Sequence, residues 1–149
     1  MIKKNIILVS LIFFLTNCGF TPIYIKNDNI NFSIEQINYT GDRELNNFLK
    51  TNLKKYKNEK SENKIFVNVE SKYEKIILSK DGAGEVSNYQ LRAEVIFLIK
   101  STNKKIKIVE KSIMKSISDK FEEESNETSI KENFASSISY KFASELISN

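Results

Sequence analysis

Residues Ser87–Ile99 read "SNYQLRAEVIFLI". Tyr89, Leu91, Ala93, Val95, Phe97 and Ile99 fall on every second position, and Asn88, Gln90, Arg92 and Glu94 fill the first alternate ones. A period of two is the strand period, so the stretch predicts a β-strand with one apolar and one largely polar face. A strand of that kind belongs to an antiparallel sheet covered on one side only. The rest of the chain must then supply its neighbours and its cover.

The flanks supply both. "STNK" (Ser101–Lys104) reads as a hairpin turn into a strand from Ile106 to about Ile117, with a shift of phase expected between Ile108 and Val109 and inward positions at Ile113 and Ile117. Upstream, "SKDGAGE" carries Gly82 and Gly84 for a turn. It follows a strand, Lys64–Leu78, with Ile65, Val67, Val69, Tyr73 and Ile77 on one side. Three strands on short turns predict an antiparallel meander. Before them, "INFSIEQINY" (Ile30–Tyr39) alternates through Ile30, Phe32 and Ile34 and then changes phase to Ile37 and Tyr39, which predicts a bulge near Gln36.

Between that strand and the meander, Asp42 is suited to cap a helix over Arg43–Tyr56. Leu45, Phe48, Leu49, Leu53 and Tyr56 form one stripe on it. Residues Lys57–Asn63 are a polar connector. At the far end, Ser118–Glu127 reads as a solvated acidic loop. From Thr128, Ile130, Phe134, Ile138, Phe142 and Leu146 recur every four residues, with Ala135 and Ala143 beside them, as in a long helix. The order is β-α-β-β-β-α. A right-handed crossover through the first helix lays the first strand parallel to its neighbour at a sheet edge. The predicted fold is therefore α+β: a two-layer sandwich of a four-stranded, mostly antiparallel sheet with two helices on one face.

The N-terminus is of another character. Lys3 and Lys4 precede an apolar run, Ile6–Leu15, interrupted only by Ser10. It is about half of the roughly 20 residues that a spanning helix needs. "LTNC" (Leu15–Cys18) resembles a bacterial lipobox, with Asn17 before the cut. The expected organisation is a signal peptide over residues 1–17, an acylated N-terminus and tether over 18–29, and one domain over 30–149. Cys18 would carry an S-diacylglycerol and an N-acyl group, a covalent lipid and the only prosthetic group expected. The alternatives are an uncleaved anchor, or a secreted protein with a stray thiol. Gly19 follows the cysteine, which favours delivery to the outer membrane.

Composition narrows the function. The chain of 149 residues carries 23 basic and 19 acidic groups. The charge is mild and the only arginines are Arg43 and Arg92, so nucleic-acid binding is not expected. There is no histidine, and the single thiol is assigned to lipid. The usual Ser-His and Cys-His activation is thus missing, no metal site is expected, and the chain does not read as an enzyme. The acidic run Glu122–Glu124 lacks the spacing of a calcium loop. Lys72, Lys75, Lys100, Lys104, Lys105 and Lys107 fall near strand ends and one turn. Such lysines ordinarily solvate a face or guard a sheet edge. No contiguous apolar patch is expected on the surface.

The order of elements, together with "CGFTPIY" (Cys18–Tyr24), resembles the LPS-assembly lipoprotein LptE family, whose shorter branch opens Cys-Gly-Phe-x-Pro-Leu-Tyr. "NYQLRAEVIFLI" (Asn88–Ile99) is similar to the family's central strand, and "NFASSISYKFASEL" (Asn133–Leu146) to its C-terminal helix. The resemblance implies an outer-membrane lipoprotein facing the periplasm in a Gram-negative bacterium. It would act as plug and assembly factor for an LptD-like β-barrel in lipopolysaccharide transport. Any contact with lipopolysaccharide phosphates is expected from Arg92, Lys72 and Lys75. The competing reading is a free-standing lipoprotein that binds a small ligand or a cell-wall component.

Overall fold

A computed structural model describes residues 32–148. The signal peptide, Cys18 and the tether lie outside the described residues, as do Ile30 and Asn31 of the first predicted strand.

The elements are β1 (Ser33–Gly41), α1 (Arg43–Leu53) tightening into a 3₁₀ turn (Lys54–Tyr56), β2 (Lys64–Lys80), β3 (Val86–Ile99), β4 (Lys104–Lys115) and α2 (Lys120–Ile147). The sheet order is β1-β2-β3-β4, with β1 parallel to β2 and the other two pairs antiparallel. Both helices cover one face, and the β-α-β-β-β-α sandwich is that predicted.

Each boundary has a local cause. The β1–β2 register slips between Ile34 and Gln36, so Ile34 and Ile37 both face the helices although they are three residues apart. Gly41 ends β1 at φ +95°, where a Cβ would stand 1.8 Å from the Ser71 carbonyl oxygen. Only glycine meets both conditions. Asp42 then accepts from the Leu45 amide at 2.7 Å and starts α1.

The core lies between the layers. Leu45, Leu49 and Leu53 of α1, Val67 and Val69 of β2, Leu91, Val95 and Phe97 of β3, and Ile138 and Phe142 of α2 are buried. Phe97 and Phe142 stack with centroids 4.0 Å apart, which fixes α2 over the middle of the sheet.

Three expectations need correction. First, α2 begins at Lys120, so the predicted acidic loop Ser118–Glu127 is largely the helix's first turns. Asp119 accepts from the amides of Phe121 and Glu122, and acidic residues in a first turn favour the helix dipole. Second, β4 keeps one phase throughout: its pairing with β3 runs from Ile99↔Lys104 to Asn88↔Lys115 without a shift. Met114 is buried, Ile113 is 64% exposed, and Ile117 lies beyond the strand. The inward positions between Ile108 and Met114 are Glu110 and Ser112, polar residues that hid the true register. Third, Ile76, Leu78 and Ile113 on the open face and Ile77 on the other are exposed at the far end of the sheet. The surface thus carries a small apolar cluster.

Candidate functional site

Among the described residues, no element covers the side of the sheet turned away from the helices. Its rows follow from register. Thr40, Glu70, Ile96 and Lys107 lie side by side, then Lys72, Glu94 and Val109, then Glu74, Arg92 and Lys111, then Ile76, Gln90 and Ile113.

Charges pair across those rows. Arg92 donates from Nη1 to Glu74 Oε2 at 3.0 Å and from Nη2 to Glu94 Oε2 at 2.5 Å. Lys72 meets Glu74 at 2.8 Å, and Lys107 meets Glu94 at 2.6 Å. Three cations and two carboxylates form one chain over three strands, with a surplus of one positive charge. Lys72 and then Arg92 hold the Glu74 carboxyl below its ordinary range, and Lys107 does the same for Glu94. Amide side chains continue the polar surface towards β1, where Gln36 donates to Asn38 and Asn38 to Asn68. Beside them Asn38, Asn68, Glu70, Leu98 and Lys105 line a shallow hollow of about 520 Å³.

The three predicted phosphate contacts separate. Arg92 and Lys72 share the open face and the Glu74 carboxylate. Lys75 is on the opposite face, where its ammonium meets Glu127 at 2.8 Å and Glu123 at 3.0 Å and sits 4.2 Å from the Tyr89 ring centre. There it fastens α2 to the sheet. Glu123 also accepts from Ser116 Oγ and the Ile117 amide, and Tyr73 donates to Glu127. The Ile117 amide and then Lys75 bring the Glu123 carboxyl down to about 2. Burial, aided by Glu127, pushes the Tyr73 phenol up. Lys75 stays protonated because its bonds to Glu127 and Glu123 outweigh its own desolvation.

Sequence reasoning named Arg92 and Lys72 but missed Glu74, Glu94 and Lys107 as one assembly. The missing information was register: Lys72↔Glu94 and Glu74↔Arg92 become complementary neighbours only once β2 is aligned on β3. Among the described residues no cluster of ligands suited to a metal ion is found, and no helix is long and apolar enough to cross a membrane.

No family model matches the chain, and no curated protein matches it in sequence. Solved structures match its fold. Rare lipoprotein B from Shewanella oneidensis superposes with a TM-score of 0.56 at 14% identity, over 76% of this chain and 95% of that one. A minor lipoprotein from Acinetobacter baumannii gives 0.50 at 13% identity, over 74% and 93%. The chain has the fold of these lipoproteins.

Proposed function

We propose that this protein is an outer-membrane lipoprotein of the LptE kind, held to the bilayer through lipid on Cys18. In this reading it serves as plug and assembly factor for an LptD-like β-barrel in lipopolysaccharide transport. The observation that carries the reading is the open sheet face, whose central charges pair across three strands and leave a small positive surplus. The lumen of a wide barrel is polar and wet. A body resting inside it needs a largely hydrophilic exterior without a deep cleft, and the centre of this sheet face suits that need, with its exposed apolar side chains Ile76, Leu78 and Ile113 confined to the far end. Its shape agrees: β2 alone, 17 residues long, reaches about 56 Å at 3.3 Å per residue, while the four strands span only about 14 Å between their outer axes. The lipoprotein fold and the "CGFTPIY" opening support the same reading.

The role is that of a binding and assembly subunit, not of a catalyst. Contact with lipopolysaccharide phosphates is assigned to Lys72 and Arg92, whose cations face solvent and can be shared between a carboxylate and a phosphate. Lys75 is reserved for holding α2. The hollow at Asn38, Asn68 and Leu98 is where a small ligand would sit if the protein worked without a barrel. Affinity purification of the tagged, acylated protein from solubilised outer membranes distinguishes the two. A large β-barrel co-purifies under the proposed function, and the protein elutes alone under the other.

A further inference from the structure

The two edges of the sheet are unlike. β1 is nine residues long and interrupted by its bulge. β4 is twelve residues long, pairs with β3 without interruption, and has no strand beyond it among the described residues. Its outer backbone N–H and C=O groups therefore form a regular ladder that no described residue pairs with. Beside that edge runs a groove of about 420 Å³ between β4 and the last turns of α2, whose apolar lining is Ile106, Ile108, Val109 and the half-exposed Tyr140 and whose lining from α2 also includes Lys141 and Glu145. Glu110 of the same strand accepts from Ser137 and Lys141 of α2. On the open face the same strand presents Lys105, Lys107, Lys111 and Lys115. Only Lys107 among these four has a carboxylate partner within the described residues.

A free ladder, a groove with an apolar floor along one side of it and cations along the other are what strand addition requires. Main-chain bonds hold the incoming segment, and its alternate side chains fall into two different environments. We infer that β4 is a docking edge for an extended segment of a partner protein that alternates apolar with acidic residues. The apolar side chains enter the groove beside Ile106, Ile108 and Tyr140, and the acidic ones lie over Lys105, Lys107 and Lys111. A second copy of this chain is a poor occupant, because antiparallel pairing of two β4 edges would set lysine columns against each other. The inference stands apart from the barrel assignment, since it specifies how a segment binds and not which protein supplies it.

The test uses the full acylated chain in detergent and a fluorescein-labelled decapeptide alternating glutamate with valine. The peptide binds, and its binding perturbs backbone amide resonances of residues 104–115. Lys105→Glu combined with Lys111→Glu weakens binding at least tenfold. Methylating alternate peptide nitrogens weakens binding to the unaltered protein by a similar factor, because the ladder donors are gone. Four results overturn the inference: no binding at about 1 mM peptide, perturbation confined to other elements, equal affinity for the N-methylated peptide, or equal affinity for a peptide alternating lysine with valine. A dimer paired through β4 overturns it as well.

Discussion

At the scale of single residues, two positions tie sequence to structure most tightly. Gly41 combines a positive φ with a backbone approach that leaves no room for a methyl group. Gly41→Ala is expected to lose about 3 kcal/mol or more, through strain and the displaced Ser71 carbonyl, measured as the urea midpoint multiplied by the slope. Glu123 is the second. Its carboxyl is held at about 2, below its ordinary 4.5, so its stabilising contribution is complete above about 4.5 and is lost as pH falls through about 2. Glu123→Ala leaves the Ile117 amide without a partner and takes from Lys75 one of its two carboxylates, and should cost about 2 kcal/mol at pH 7. Denaturation at a series of pH values should show the gap between variant and parent closing between about 4.5 and 2. A gap that stays constant down to pH 2 would mean that the ionised carboxylate is not what holds α2.

At the scale of elements, β4 and α2 show where pattern reading works and where it stops. The alternation of β3, the stripe of α1 and the bulge of β1 were all legible, because apolar side chains mark their inward positions. In β4 the inward series passes through Glu110 and Ser112, and in the first turns of α2 through Glu123 and Glu127. The three carboxylates face inward because each meets a partner from another element: Glu110 meets Lys141, and Glu123 and Glu127 meet Lys75. A sequence read one element at a time cannot pair them. The corrected phase of β4 has a direct check. Met114→Lys should destabilise by about 3 kcal/mol, since it buries an unpaired ammonium. Ile113→Lys, on the solvent side, should stay within about 0.5 kcal/mol of the parent. The reverse order in thermal or urea unfolding would restore the phase shift that the sequence suggested. The start of α2 is tested by Asp119→Ala, which should cost about 1 kcal/mol through the lost cap.

At the scale of the whole molecule, the candidate surface was half legible. Arg92 was visible as a lone guanidinium on a polar strand face, but the carboxylates that neutralise it emerge only with the sheet register. An elongated body whose central sheet charges are paired across strands suits enclosure by a wet wall. Enclosure is the central claim, and it differs from docking by one side in a way that can be measured. A photo-crosslinking amino acid is placed in living cells at Glu70 on the open sheet face and, separately, at Ser136 on the exposed side of α2. If the protein sits within a barrel lumen, both positions give an adduct with the same large outer-membrane protein. An adduct from one position alone, or from neither, would contradict the account.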